Sequence, residues 1–258
     1  MELLELENLT LKRAPLRRFR SHAEGEALVD DLSLMLPSGA SIGIVGEDRG
    51  GLLALTFAIL KLGRVAAGRI VFGGIDLTSL SERRFRPVRR RLQAVFPDHF
   101  GQLTPNLTID ATFREVLAVW HGRESRSQWR LRIEDVMIAC GLPEAVRHLY
   151  PFELDLVERQ QVVLARVLLT GPELLICHGV TEGLDAVQQG ELLNLVKRLR
   201  GEFGFALAVM TDDLAVACHL GDDIAVIHRG QLVESGTAEA LVHRPQHDFT
   251  RRLVKCTA

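Results

Sequence analysis

The chain has 258 residues, 47% of them hydrophobic, which suffices for one large domain or a domain with a lobe. A formal net charge of −2 argues against the strongly basic surface that nucleic acid demands. Four cysteines, at 140, 177, 218 and 256, lie far apart without a CxxC spacing, so neither a zinc site nor a disulfide framework is indicated and a reducing compartment is expected.

The first third reads as strands. Leu4 and Leu6 alternate with glutamates, and Leu9 and Leu11 continue the pattern one residue out of step. This start has no signal-peptide layout. A basic, irregular segment, RAPLRRFRSHAEGE, follows. Leu32, Leu34 and Leu36 then alternate before a Pro-Ser-Gly turn. SIGIVG is short, apolar and bounded by turn residues, as a strand buried on both faces is. A helix is expected from about Gly51 to Leu62, then a strand in GRIVFGG. The run SERRFRPVRRRL carries arginines at 83, 84, 86, 89, 90 and 91, and reads as a solvated helix or turn.

The middle is helical in spacing. TIDATFREVLAVWHG and SRSQWRLRIEDVMIACGLP both fit, the second ending at Gly141 and Pro143. The last third alternates: helix 157–170, strand LLIC, helix 186–201, strand FALAVM, a short helix, and strands in DDIAVIHRG and QLVESG. Such alternation predicts an α/β fold with a mostly parallel sheet and helices on both faces. No apolar run approaches the ~20 residues of a membrane-spanning helix. The expected location is therefore cytoplasmic.

One stretch raises a chemical question. From Gly43 to Leu60, a buried strand turns through a Gly-rich loop into an apolar helix. That layout cradles phosphate with backbone N–H groups at a helix N-terminus. A phosphate loop ends in Gly-Lys-Ser/Thr, whose lysine reaches the β and γ phosphates and whose hydroxyl helps hold Mg²⁺. Here Gly46, Gly50 and Gly51 remain. Leu52 stands at the lysine position, and Leu53 and Ala54 stand at the hydroxyl positions. Glu47 and Asp48 add negative charge, and Arg49 is the local cation, three residues early.

Three further segments carry a family resemblance. YPFELDLVERQQVVLARVLLTGPELLICHGVTEGLD, from Tyr150 to Asp185, resembles the signature-helix and Walker B region of ATP-binding-cassette ATPases. VFPDHFGQLTPNLTI is similar to the glutamine-loop segment of the oligopeptide, dipeptide and nickel importer branch. HRGQLVESGTAEALVHRPQHDFTRRLV is similar to the C-terminal end of that branch. The resemblance covers nearly the whole chain in the right order. It implies a nucleotide-binding-domain fold, in which a mixed sheet with a parallel core is joined by an antiparallel β region and a helical subdomain. On this basis residues 1–95 and 171–258 form the core lobe, and about 96–170 the helical subdomain with the signature helix.

The resemblance also assigns positions, and the chemistry departs from the family at each. His178 stands where the Walker B aspartate would order Mg²⁺, and imidazole is a poor ligand for that hard cation. Gly179 stands where a glutamate would polarise the attacking water. Pro97 replaces the glutamine of the glutamine loop, and Asp212 replaces the switch histidine that contacts γ-phosphate. The signature Leu-Ser-Gly-Gly-Gln becomes Leu154, Asp155, Leu156, Val157 and Glu158, with carboxylates and bulky side chains where hydroxyl and bare backbone would meet phosphate. Asp185 keeps the D-loop aspartate, with a helix-cap role and an interface role both open. His178 with Cys177 or Asp212 is a remote alternative for a softer metal, and no metal site is expected.

The leading expectation is a catalytically degenerate subunit, a pseudo-ATPase with a structural or regulatory role. It would bind no ATP or Mg²⁺ and would sit on the inner face of the cell membrane through its partners. The resemblance implies permease subunits and a homologous ATPase subunit as those partners, in a hetero- or homodimer, without nucleic acid. Two alternatives stay open: an active ATP-binding subunit that energises uptake of peptides or small solutes, and a transporter-independent binding module on the same fold.

Overall fold

The computed structural model describes residues 2–13, 26–98 and 101–257, and at Arg49 and Thr257 the backbone alone. Most of the basic segment read as irregular, Ala14 to Gly25, lies outside the described residues. The chain divides into two compact units, Met1–Arg86 with Ala206–Ala258, and Pro87–Phe205.

The first unit holds two sets of strands. β1 (Glu2–Lys12), β2 (Ala27–Pro37), β4 (Ala67–Phe72) and β5 (Ile75–Asp76) form an antiparallel sheet in the order β2-β1-β4-β5. The break in leucine phase between Leu6 and Leu9 is a register irregularity in β1. Asn8 takes a positive φ of 46° there, and its side-chain amide donates to Asp31 at 2.9 Å. The extra residue lets all four leucines face inward: Leu4, Leu6, Leu9 and Leu11 are each buried.

The second set is parallel at its centre. β3 (Ser41–Gly46) runs between β8 (Ala206–Thr211) and β9 (Asp223–His228), parallel to both, and β10 (Gln231–Thr237) adds antiparallel to β9. Every residue of β3 and β8 is buried, as a strand covered on both faces requires. Helix α1 (Arg49–Ile59) follows β3, and α7 (Leu214–Leu220) follows β8. Gly43 lets α7 approach closely, since a Cβ on it would lie 2.8 Å from that of Ala217. Val45, Ala217, Ile224, Val226 and Phe249 share one core cluster, which brings in the last helices, α8 (Ala238–His243) and α9 (Asp248–Thr257).

The second unit begins at Pro87, inside α2 (Glu82–Arg91), so the arginine run is a helix that tolerates an internal proline. β6 (Leu92–Val95) and β7 (Leu174–His178) pair in parallel. Around them are α3 (Ile109–Trp120), α4 (Arg126–Ala139), α5 (Leu156–Leu168) and α6 (Ala186–Phe203). Each of these four helices starts at a side-chain cap, on Thr108, Ser125, Asp155 and Asp185. The end of α3 is tied down by charge. His121 Nδ1 lies 2.8 Å from Glu124, which also takes a two-point contact from Arg132. Hydrogen bonds from Arg132, then His121, hold the Glu124 carboxyl down to about 2.

Two expectations need correction. Helix α1 starts two residues before the expected Gly51 and ends at Ile59, short of Leu62. Asp48 caps it early, and Lys61, at φ 56°, lies in a left-handed turn that a helix cannot continue through. The four residues of β6 and the two C-terminal helices were not evident as elements. β6 is too short and too close to the arginine run to show alternation.

Candidate functional site

In the first unit the loop between β3 and α1 leaves the end of a fully buried strand. Gly46 pairs with Ile227 of β9, and Val45 with Thr211 of β8. Asp212 therefore emerges one residue beyond that pair, beside the loop, and is exposed. The loop closes on itself. Asp48 is the N-cap of α1, and its carboxylate accepts a hydrogen bond from Gly50 N–H at 2.9 Å. The other carboxylate oxygen lies 3.2 Å from where a Cβ on Gly51 would be. A negative group of the chain itself thus sits across the helix N-terminus that would face an anion.

Leu52 turns inward. It is 3% exposed, and its Cδ2 lies 3.7 Å from the Cβ position of Gly46. Position 52 thus holds an apolar side chain packed under the loop. Leu53 and Ala54 are half-buried and carry no hydroxyl. Glu47 Oε1 lies 2.9 Å from His228 Nδ1, within ion-pair distance but out of line for a hydrogen bond. The His228 ring stacks on Phe249 of α9 at 4.2 Å, so the loop also touches the C-terminal helix through that imidazole. The side chain of Arg49 lies outside the described residues.

The second unit carries the other residues of interest. His178 ends β7 at 8% exposure, with its ring 5.8 Å from that of Phe96. Gly179 follows at φ 54°. A Cβ there would meet Glu182 Oε1 at 2.6 Å and Pro97 Cγ at 3.2 Å. The Phe96–Asp98 segment is held by three side chains. Gln102 bonds both Phe96 N–H (3.0 Å) and Phe96 C=O (2.7 Å). Gln160 of α5 donates to Phe96 C=O at 3.2 Å, and Arg159 lies 3.3 Å from Asp98.

At the start of α5, Asp155 and Glu158 form a reciprocal capping box. Glu158 N–H donates to Asp155 at 2.8 Å, and Asp155 N–H donates to Glu158 at 3.0 Å. Both carboxylates are thus engaged by their own helix start. Leu156 reaches to 3.5 Å from the Cβ position of Gly183, and Val157 is half-buried. Asp185 accepts from Val187 and Gln188 N–H, each at 2.9 Å, so its cap role is realised.

The set does not fit magnesium-bound nucleotide. The first unit offers Leu52 in place of a cation and presents the Asp48 carboxylate to any incoming phosphate. The second offers an imidazole at His178 and no side chain at Gly179. For a softer metal on Cys177, no group of three or more His, Cys, Asp or Glu side chains is gathered among the described residues.

Comparison with known proteins agrees with the architecture. Residues 29–181, more than half of the chain, match the family described as ABC transporter. The chain belongs to that family. It is 33% identical over 226 residues to the oligopeptide transport ATP-binding protein OppF of Escherichia coli, covering 88% of this chain and 68% of that protein. It is 29% identical to OppF of Lactococcus lactis, covering 98% of this chain and 79% of that one. Among solved structures it superimposes on cbiO1 from Clostridium perfringens, part of the ABC transporter complex cbiONQ. The TM-score is 0.81 at 19% identity, over 95% of this chain and 92% of that one. The dimeric bacterial ABC transporter cassette MJ0796 gives a TM-score of 0.77 at 22% identity, over 92% of this chain and 99% of that one. These likenesses establish the ABC cassette fold, an α/β structure with parallel and antiparallel strands.

Sequence reasoning named the Asp48 charge but missed its cap role, and it missed Glu182 altogether. The Asp48 cap was legible, because an aspartate shortly ahead of an apolar helical run is an N-cap signal. Glu182 was not legible, because its contact with the space at Gly179 depends on the turn that follows β7.

Proposed function

We propose that this chain is a catalytically degenerate ATPase-like subunit of a peptide-type ABC transporter, structural or regulatory in role. It would pair with a homologous ATPase subunit and with permease subunits, and so sit at the cytoplasmic face of the membrane. The names and coverage of the OppF relatives support the peptide-transport assignment. Among the described residues no helix is long and apolar enough to cross a membrane, which agrees with attachment through partners. The 1–95 and 171–258 segments would act as the core lobe, and 96–170 as the helical lobe.

One observation carries the degenerate reading. The loop after β3 is filled by the chain itself, with Leu52 packed beneath it and the Asp48 carboxylate capping the helix start at the Gly50 N–H. Loss of one electrostatic contact to a reacting group typically costs about 2.7–4 kcal/mol of barrier. Here the residues at Leu52, Pro97, His178, Gly179 and Asp212 all differ from those the family resemblance assigns. Isothermal calorimetry with ATP and Mg²⁺ tests this. The expected result is no Mg²⁺-dependent affinity in the submillimolar range. Submillimolar, Mg²⁺-dependent binding would overturn the reading.

A further inference from the structure

The first unit holds an open-sided cavity of about 670 Å³ at the opposite end of β3 from the loop at Gly46. Ile42 lines it near the start of that strand, and so does Asp223, the partner of Ile42 in β9. At about 3.3 Å per residue, the strand between puts Gly46 roughly 13 Å from Ile42. β1 and β10 supply further walls, and each breaks its register there, β1 between Leu6 and Leu9 and β10 between Leu232 and Glu234. Such breaks bend a strand and loosen its pairing, and they are frequent beside functional sites. Here breaks in two different strands border one space.

The lining carries one sign of charge over an apolar floor. Leu6, Leu34, Ile42 and Ile224 are buried, and Leu232 is half-buried. Glu5, Glu7 and Asp223 are the charged groups, and no Lys, Arg or His lines the cavity among the described residues. Arg69 pairs with Glu7 and feels Glu5 as the weakest of its acidic neighbours. Glu5 and Asp223 make no hydrogen bond or ion pair among the described residues. The neutral polar groups are already matched: Asn8 N–H donates to Ser33 at 3.0 Å, and the Asn8 amide to Asp31. A phosphate, a nucleotide or a carboxylate ligand would meet like charge here. A neutral apolar ligand would dehydrate carboxylates without giving them a partner. A cation with an apolar body meets both demands. The size is that of small-molecule pockets, roughly 300–1,000 Å³, which are mostly apolar with a few polar groups that orient the ligand.

We propose that this cavity binds an amphipathic organic cation. The apolar body lies on Leu6, Leu34, Ile42 and Leu232, and the positive group sits beside Glu5 and Asp223. The site shares no residue with the loops after β3 and after β7, so it stands or falls apart from the non-hydrolysing reading.

Equilibrium dialysis of the full chain with tetraphenylphosphonium tests this, with tetraphenylborate as the anion of the same shape. The expected result is saturable, submillimolar binding of the cation, with the anion weaker by about tenfold or more. Glu5→Gln combined with Asp223→Asn weakens the cation by about tenfold, as loss of two partly solvated charge contacts does. Ser235→Trp, at an exposed lining position, fills the space and weakens the cation while both carboxylates stay. The two variants differ in chemistry, so the test survives if one of them fails to fold. Equal affinity for the two ions, cation binding unchanged in the variants, or no saturable cation binding at millimolar concentration overturns the proposal. So does a concentration-dependent dimer in sedimentation that Ser235→Trp abolishes, which would make this face a contact between copies of the chain.

Discussion

The loops after β3 and after β7 are filled by opposite routes. Each leaves a buried parallel strand and turns sharply toward a helix, so the backbone frame is kept in both. The first loop is filled from the core side, by Leu52 at 3% exposure. The second is filled by a half-buried carboxylate, Glu182, reaching back from three residues downstream. The contrast shows that two similar frames, each leaving a buried strand, accept an apolar filling in one case and a carboxylate in the other. An apolar filling contributes stability in its own right. A carboxylate filling contributes position and little net energy, because it exchanges water for a partly solvated contact.

That difference sets the largest expected effect. Leu52→Ala removes a fully packed side chain and should cost about 2–5 kcal/mol of stability. Glu182→Ala should stay within about 1 kcal/mol, as a partly exposed polar truncation. Urea denaturation of the two variants, compared by midpoint at equal slope, makes the comparison. If Glu182→Ala were as costly as Leu52→Ala, the two fillings would be energetically alike and the contrast would fail.

The sequence was informative where burial dictates pattern. SIGIVG and FALAVM read as doubly covered strands, and each is buried along its whole length. The phase slip between Leu6 and Leu9 was visible before its meaning as a strand irregularity was clear. The helices of the middle third showed their spacing, and the second its end at Gly141, though not their N-caps on Thr108 and Ser125. The fillings of the loops were less visible. A leucine at position 52 reads as a lost lysine, but that it packs inward depends on the closeness of β3 and β9 at Gly46. The reach of Glu182 depends on a turn geometry that no periodicity encodes. His121, Glu124 and Arg132 likewise meet across a helix connection and give no local signal.

A smaller effect separates the helix starts. Asp48, Asp155 and Asp185 each cap a helix, and replacing a capping aspartate by alanine typically costs about 0.5–2 kcal/mol. Asparagine, which keeps the acceptor, should recover most of it. The Asp48→Asn form also removes the charge that lies across the α1 N-terminus. It therefore separates capping from repulsion. Stability should be nearly restored relative to Asp48→Ala, while calorimetry still detects no tight Mg²⁺-dependent nucleotide binding, because Leu52 remains. Tight binding by Asp48→Asn alone would make one carboxylate the whole obstacle at that loop.

The smallest expected effect is the return of activity on partial repair, and the expected size is none. Leu52→Lys restores the family's cation to the first loop. The ammonium would have to leave the packed space beneath Gly46 and reach past the Asp48 carboxylate, which would attract it and compete with any phosphate. Even a lysine correctly placed would serve only the first loop. In the second unit His178 remains a poor magnesium ligand, and Gly179 has no side chain. Groups that act as a unit do not return function one at a time. Phosphate release by purified Leu52→Lys should therefore equal that of a mock preparation carried through the same columns. Turnover well above the mock from this single change would mean that the second loop still handles water, and that the two loops were not disabled alike.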